Sequence, residues 1–191
     1  MIRKKLFLMA AALSLSLACH YQSDLPQLFD VPNTKLLNEN GQPVTLGQNK
    51  GYVTVYDFIY TNCAGTCPMM TASMRRLTKK VPKGDKVKFV SISVDPARDT
   101  PPVLKAYAAR VRNDDRWTFL TTGNHKTLVD LAVNGFKLVA GDPGPGGDPL
   151  LHSSKFAVAD KNGVIREYYG GTDGDAPTHV AQTVKDLLKE D

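Results

Sequence analysis

The sequence predicts one layered α/β domain, a mixed central sheet flanked by helices. Three observations carry this. β-branched and aromatic runs alternate with segments of helical periodicity from residue 52 to residue 136, the pattern of strand–helix–strand units. The last part of the chain gives two strand-like runs around an Asn-Gly pair and then a helix, which adds antiparallel strands to the same sheet. A length of 191 residues with 42% hydrophobic residues suits a single domain that can bury a core.

Each element follows in order. "HYQSDLPQLFDVPNT" is polar and proline-marked and leads into the domain, with residues 19–27 read as a tether and 28–191 as the domain. "KLLNENGQPVTL" holds Asn40-Gly41 between two strand-like runs, an N-terminal β-hairpin. "YVTVYDFIY" is too apolar for a sheet edge and reads as a buried central strand. Cys63 and Cys67 follow it, and Pro68 then starts a helix with Met70, Met74 and Leu77 on its core side. "KVKFVSISVD" is a second buried strand, "VLKAYAARV" a helix and "RWTFLTT" a strand. Asp95-Pro96 shapes a turn, and Asp99 stands where it would cap the next helix. "HKTLVDLAVNGF" is a helix closed by Gly135. A Gly/Pro-rich loop over residues 139–151 precedes the hairpin "KFAVADKNGVIREYYGG". "APTHVAQTVKDLLKE" closes the chain as an amphipathic helix.

Residues 1–18 read as a targeting segment. Arg3, Lys4 and Lys5 precede an apolar stretch too short to span a bilayer. Cys19 follows a small residue at its end, which resembles a bacterial lipobox with a lipidated cysteine; a plain signal peptide cut near Ala18 is the alternative. Without that segment the balance is 21 basic to 19 acidic residues, too mild to indicate nucleic acid. No later segment is apolar for long enough to cross a membrane.

Export leaves Cys63 and Cys67 as the one cysteine pair of the domain in an oxidising compartment. A disulfide four residues apart closes a tiny loop and constrains the unfolded chain little. Redox chemistry or metal binding is the better reason for the pair. A strand, a cysteine motif and then a helix is the order of the thioredoxin fold. Unpaired N–H groups and the positive end of the helix dipole favour thiolate there. Two convergent thiolates suit Cu(I), Zn(II) or a reversible disulfide. Thioredoxin-type oxidoreductases separate their cysteines by two residues, and here there are three. They also present a proline just before the facing strand. In "LLHSSKFAVAD" Pro149 lies upstream and His152 stands nearest the strand. A neutral imidazole beside two thiolates makes an S₂N donor set for copper.

"DFIYTNCAGTCPMM", "VSISVDPARDTP" and "LLHSSKFAVAD" together resemble the three signature segments of the Sco/SenC family, in order and at compatible spacing over roughly residues 28–190. The family comprises thioredoxin-fold copper proteins of bacterial periplasms and mitochondrial inner membranes. The resemblance implies copper, as Cu(I) or Cu(II), bound by Cys63, Cys67 and His152. It implies Asp95 as a group that supports the ligands without binding the ion. It also implies delivery to the dinuclear copper site of cytochrome c oxidase subunit II. With a lipid on Cys19, the protein is expected to be a monomer anchored on the periplasmic face of the inner membrane or on the outer surface of the cell membrane.

Two functions from different classes stand. One is a copper metallochaperone, which is not an enzyme in the strict sense. The other is a thiol–disulfide oxidoreductase that reduces cysteines of that site or of another exported protein. A peroxidase ranks last, because "FIYTNC" has Thr61 but no proline ahead of the cysteine. His152 separates the first two, since copper needs it and dithiol exchange does not. His20, His125 and His179 have no such context, and Met70 reads as core.

Overall fold

The computed structural model describes residues 21–84, 86–138 and 153–190. Eight strands form one mixed sheet: β1 (Phe29–Asp30), β2 (Lys35–Asn38), β3 (Pro43–Thr45), β4 (Val53–Ile59), β5 (Val87–Ser93), β6 (Trp117–Thr121), β7 (Lys155–Ala159) and β8 (Val164–Gly170). Their spatial order is β1-β8-β7-β4-β5-β6-β2-β3. β4, β5 and β6 are parallel, and the other neighbours are antiparallel. All seven residues of β4 are buried, because it has a strand on each side and helices over both faces. This is the central strand that its unbroken apolar run predicts.

The alternation along β4 sorts the core into two layers. Val53, Val55 and Ile59 pack under α1 (Cys67–Lys80), α2 (Pro101–Val111) and α4 (Ala176–Lys189). Tyr56 and Phe58 face the other way, toward α3 (His125–Val129) and the segment after it. Met70, Met74 and Leu77 of α1 are fully buried, the helical stripe expected for them. α1, α2 and α4 each carry proline in the first turn, where the missing N–H has no partner to lose.

Both Asn-Gly turns form as the sequence predicts. Gly41 (φ 76°) and Gly163 (φ 81°) take the left-handed conformation, and Asn38 and Asp160 each accept two backbone N–H groups inside their turns.

Two sequence expectations are corrected. Gly135 does not end its helix as a left-handed cap. After α3 the chain widens into a π-helical segment, Asp130–Gly135, in which the Phe136 N–H donates to the Leu131 carbonyl at 2.9 Å. The left-handed residue is Lys137, at φ 52°. Gly135 is small for another reason: a Cβ there would lie 2.5 Å from Cγ of Pro32. Asp99 does not cap α2 either; Thr100 precedes that helix in extended conformation, with no side-chain cap bond. The Asp99 carboxylate turns inward instead.

β1 was not visible in the sequence, since two residues carry no periodicity. Residues 23–28 run along the sheet beside it. The Leu28 N–H donates to the Ile165 carbonyl at 2.9 Å. The buried Arg166 side chain donates to the carbonyls of Leu25 (2.6 Å) and Pro26 (2.8 Å) and pairs with Asp160 and Glu190. The Ser23 hydroxyl and N–H both bond the Glu190 carboxylate.

Candidate metal centre

β4 delivers the chain to the C-terminal edge of the parallel strands, where ligands of open α/β sheets gather. Tyr60–Thr66 turn there into α1, whose first residue is Cys67. Cys67 is buried and Cys63, in the turn, is partly so; both are free thiols. Burial opposes ionisation of Cys63. Four donors outweigh it: the Cys67 thiol, the backbone N–H groups of Cys67 and Gly65, and the Tyr60 hydroxyl. The Cys63 thiol is therefore held below its ordinary value, and both cysteines line one cleft at the head of α1.

Cys67 goes the other way. Burial, and then its bond to Cys63, push its thiol up to about 12. The sequence expectation of a helix N-terminus favouring thiolate thus applies to the cysteine in the turn, not to the one in the helix. Burial outweighs the dipole at Cys67 because its sulfur packs into the core layer of Met70 and Met74. Tyr60 shares in the coupling, its hydroxyl raised first by the bond to Cys63 and then by burial.

Asp99 holds this turn in place. It is 1% exposed, and its carboxylate accepts the Thr61 N–H (3.1 Å), the Thr61 hydroxyl (2.6 Å) and the Ser93 hydroxyl (2.5 Å). The end of β5 is thereby tied to the cysteine turn. Asp95 lies in the same connection. Its N–H donates to Ser93 Oγ at 3.0 Å, and its carboxylate pairs with Arg98 at 2.5 Å.

Asp57 sits within β4, fully buried. Its Oδ1 accepts the Ser91 hydroxyl at 2.5 Å, Trp117 Nε1 donates to Ser91 Oγ at 2.9 Å, and Oδ2 has no partner among the described residues. Burial, only partly offset by Ser91, pushes its carboxyl up to about 7. Its charge is one of the influences that raise Cys67. Sequence reasoning missed Asp57, Tyr60 and the inward role of Asp99. The available signal was an aspartate inside an otherwise apolar strand.

His152 and Cys19 lie outside the described residues. Two neighbours of His152 do belong to them. Ser153 and Ser154 lead into β7, which pairs antiparallel with β4 through Tyr56↔Ala157 and Thr54↔Ala159. β7 therefore begins at the edge where β4 ends, the edge of the cysteine turn. The Gly171 N–H bonds the Ser154 carbonyl there, and a Cβ on Gly171 would touch both Ser154 and Met70. Among the described residues no three His, Cys, Asp or Glu side chains form a metal-holding group. His125 opens α3 on the opposite face of the sheet, and His179 is exposed on α4.

Residues 30–189 match the SCO1/SenC family model. The chain is 34% identical to a SCO1 protein homolog of Bacillus subtilis over 162 residues, 84% of this chain and 83% of that one. Its fold superposes with TM-score 0.75 on BsSco, described as a Sco-family cytochrome c oxidase assembly protein with a disulfide switch (32% identity; 87% and 97% of the two chains). It matches a SCO1/SenC family lipoprotein of Bacillus anthracis with TM-score 0.74 (31% identity; 83% and 95%). ScoI of Bradyrhizobium japonicum with copper bound gives TM-score 0.63 (25% identity; 84% and 99%). A thioredoxin-like sheet with paired cysteines at its strand–helix junction and a family match across nearly the whole described domain leave one assignment: the chain belongs to the SCO1/SenC family.

Proposed function

We propose that this protein is a copper metallochaperone that holds one copper ion between Cys63, Cys67 and His152 and delivers it to the dinuclear copper site of cytochrome c oxidase subunit II. The observation that carries the reading is that Cys63 and Cys67 line one cleft at the head of α1, where its surroundings hold the Cys63 thiol below its ordinary value. The donor chemistry fits: soft sulfurs select Cu(I), and an imidazole extends the set to Cu(II). The copper-bound relative supports it. His152 as third ligand is supported by the entry of β7 at the cysteine edge. Loading displaces the high-affinity proton of Cys67, so uptake is proton-coupled. Asp95 supports the ligands from the β5 connection.

The same asymmetry favours a second reading, a thiol–disulfide oxidoreductase. A thiolate at Cys63 beside a protonated Cys67 is an attacking and a resolving pair, and a relative is described by its disulfide switch. The test is copper competition with a calibrated chelator on reduced protein. One equivalent is expected, abolished by replacing both cysteines with serine and weakened by His152→Ala. A His152→Ala protein with native copper affinity and native oxidase assembly would select the redox reading.

Export and a lipid on Cys19 complete the proposal, with residues 19–27 between anchor and domain. Among the described residues no helix is long and apolar enough to cross a membrane. Cys19→Ala is expected to lose membrane partitioning, and an unmodified N-terminus beyond residue 19 by mass spectrometry would exclude the anchor.

A further inference from the structure

A cleft of about 380 Å³ opens beside the cysteines, between α1 and α2. Cys63 and Cys67 form one end, Tyr60 and Tyr107 contribute aromatic walls, and Arg75 and Arg110 also line it. Among the described residues no acidic side chain lines it. Both arginines are exposed, and neither pairs with a carboxylate among the described residues. Arg110 is held over the Tyr107 ring, 5.6 Å from its centroid. Tyr107 is itself fixed by a 2.9 Å bond to Thr71 on α1. The cleft is thus a trough with sulfur at one end and two guanidinium groups along it, one of them held over an aromatic ring, with no carboxylate partner among the described residues.

We propose that this cleft docks a segment of the partner protein in which a cysteine is followed, three or four residues away, by a carboxylate side chain. This rests on the reading of Cys63 and Cys67 as the working pair. Arg75 lies eight residues beyond Cys67 on one helix, about 12 Å along its axis at 1.5 Å per residue. An extended chain covers that distance in three to four residues at roughly 3.3 Å each. A guanidinium donates two parallel N–H bonds to a carboxylate. The tyrosines supply apolar area with little loss of side-chain freedom. Charge at this rim selects the partner and speeds encounter more than it adds affinity.

The test uses full-length reduced protein and three peptides that each carry a cysteine as its pyridyl disulfide, with Glu, Gln or Lys four residues away. The Cys63 thiolate attacks the peptide sulfur. A Cys63–peptide disulfide forms, the S–S bond between the peptide sulfur and the pyridylthio sulfur breaks, and the electron pair leaves on pyridine-2-thiolate, which is read by absorbance. The Glu peptide is expected to react about threefold to tenfold faster than the Gln peptide at low salt, the advantage fading at high salt. In Arg75→Glu/Arg110→Glu protein the Lys peptide becomes the fastest. Neutral dipyridyl disulfide measures thiol reactivity alone, so its failure to react would count against the redox reading. Docking is read separately, by fluorescence anisotropy of the same peptides with serine in place of cysteine. Equal binding of the Glu and Gln peptides, or a preference that survives the charge reversal, would overturn the proposal. So would displacement of the Glu peptide by an equal concentration of glutathione, which would make the cleft a small-thiol site.

Discussion

Cys63 and Cys67 are four residues apart and have opposite proton affinities, because one stands in a turn among donors and the other is packed into a core. Removing the Cys67 thiol removes one donor to Cys63. Cys67→Ala is therefore expected to raise the Cys63 pKa, shown as slower alkylation at neutral pH with the modified site identified by mass spectrometry. In native protein Cys63 is expected to be alkylated first. Asp57 gives a second expectation. The native carboxyl keeps its proton up to about 7, while an unperturbed aspartate releases it at 3.8. Between those values the folded state binds more protons than the unfolded one, so stability from this group falls as pH rises. Asp57→Asn, neutral at every pH, should therefore gain thermal stability relative to native protein as pH rises from about 5 to about 8. A difference that stayed flat across that range would mean Asp57 is not the titrating group.

The connection between β4 and α1 has few apolar contacts of its own, and Asp99 supplies its order from another element. One carboxylate satisfies three donors, two on the cysteine turn and one on β5. Asp99→Ala leaves those donors unpaired in a buried setting, at a cost of about 2–4 kcal/mol, since each such group costs roughly 1–3 and some will reach water. Denaturant unfolding measures the loss. The more informative reading is local: amide exchange at Thr61 should accelerate well beyond the global change, and copper retention should fall with it. Uniform acceleration across the domain would assign Asp99 to stability alone.

At the scale of the whole molecule, Arg166 is the joint between the first and last described segments of the domain. It is 1% exposed and reaches Asp160, Glu190 and the carbonyls of Leu25 and Pro26. The stretch that enters the domain, Glu190 just past the end of α4 and the β7–β8 hairpin meet on this one guanidinium. Its carboxylate partners are also buried, so Arg166→Ala leaves them uncompensated and should cost about 3–5 kcal/mol. For a domain of this size that is a fall of roughly 10 °C in Tm. The N–H of Leu28 should lose exchange protection first, and cleavage by protease between residues 21 and 28 should follow. Protection of Leu28 that persisted in the variant would show that β1 alone holds the entering segment.

The α/β class, the buried central strand, both Asn-Gly turns, the helix stripe of Met70, Met74 and Leu77, and the position of the cysteine pair at a strand–helix junction are all legible in the residues alone. These features are local: periodicity, turn chemistry and proline placement act within about ten residues, so they are legible in one dimension. Contact between distant segments became visible only in the folded chain. Asp99 reads as a helix cap until Thr61, 38 residues away, occupies its carboxylate. Gly135 reads as a left-handed cap until Pro32 takes the space its side chain would need. The opposed proton affinities of Cys63 and Cys67 depend on Tyr60, Asp57 and the packing under α1. Burial and long-range partners set the energy of a polar group, and neither is written in the residues beside it.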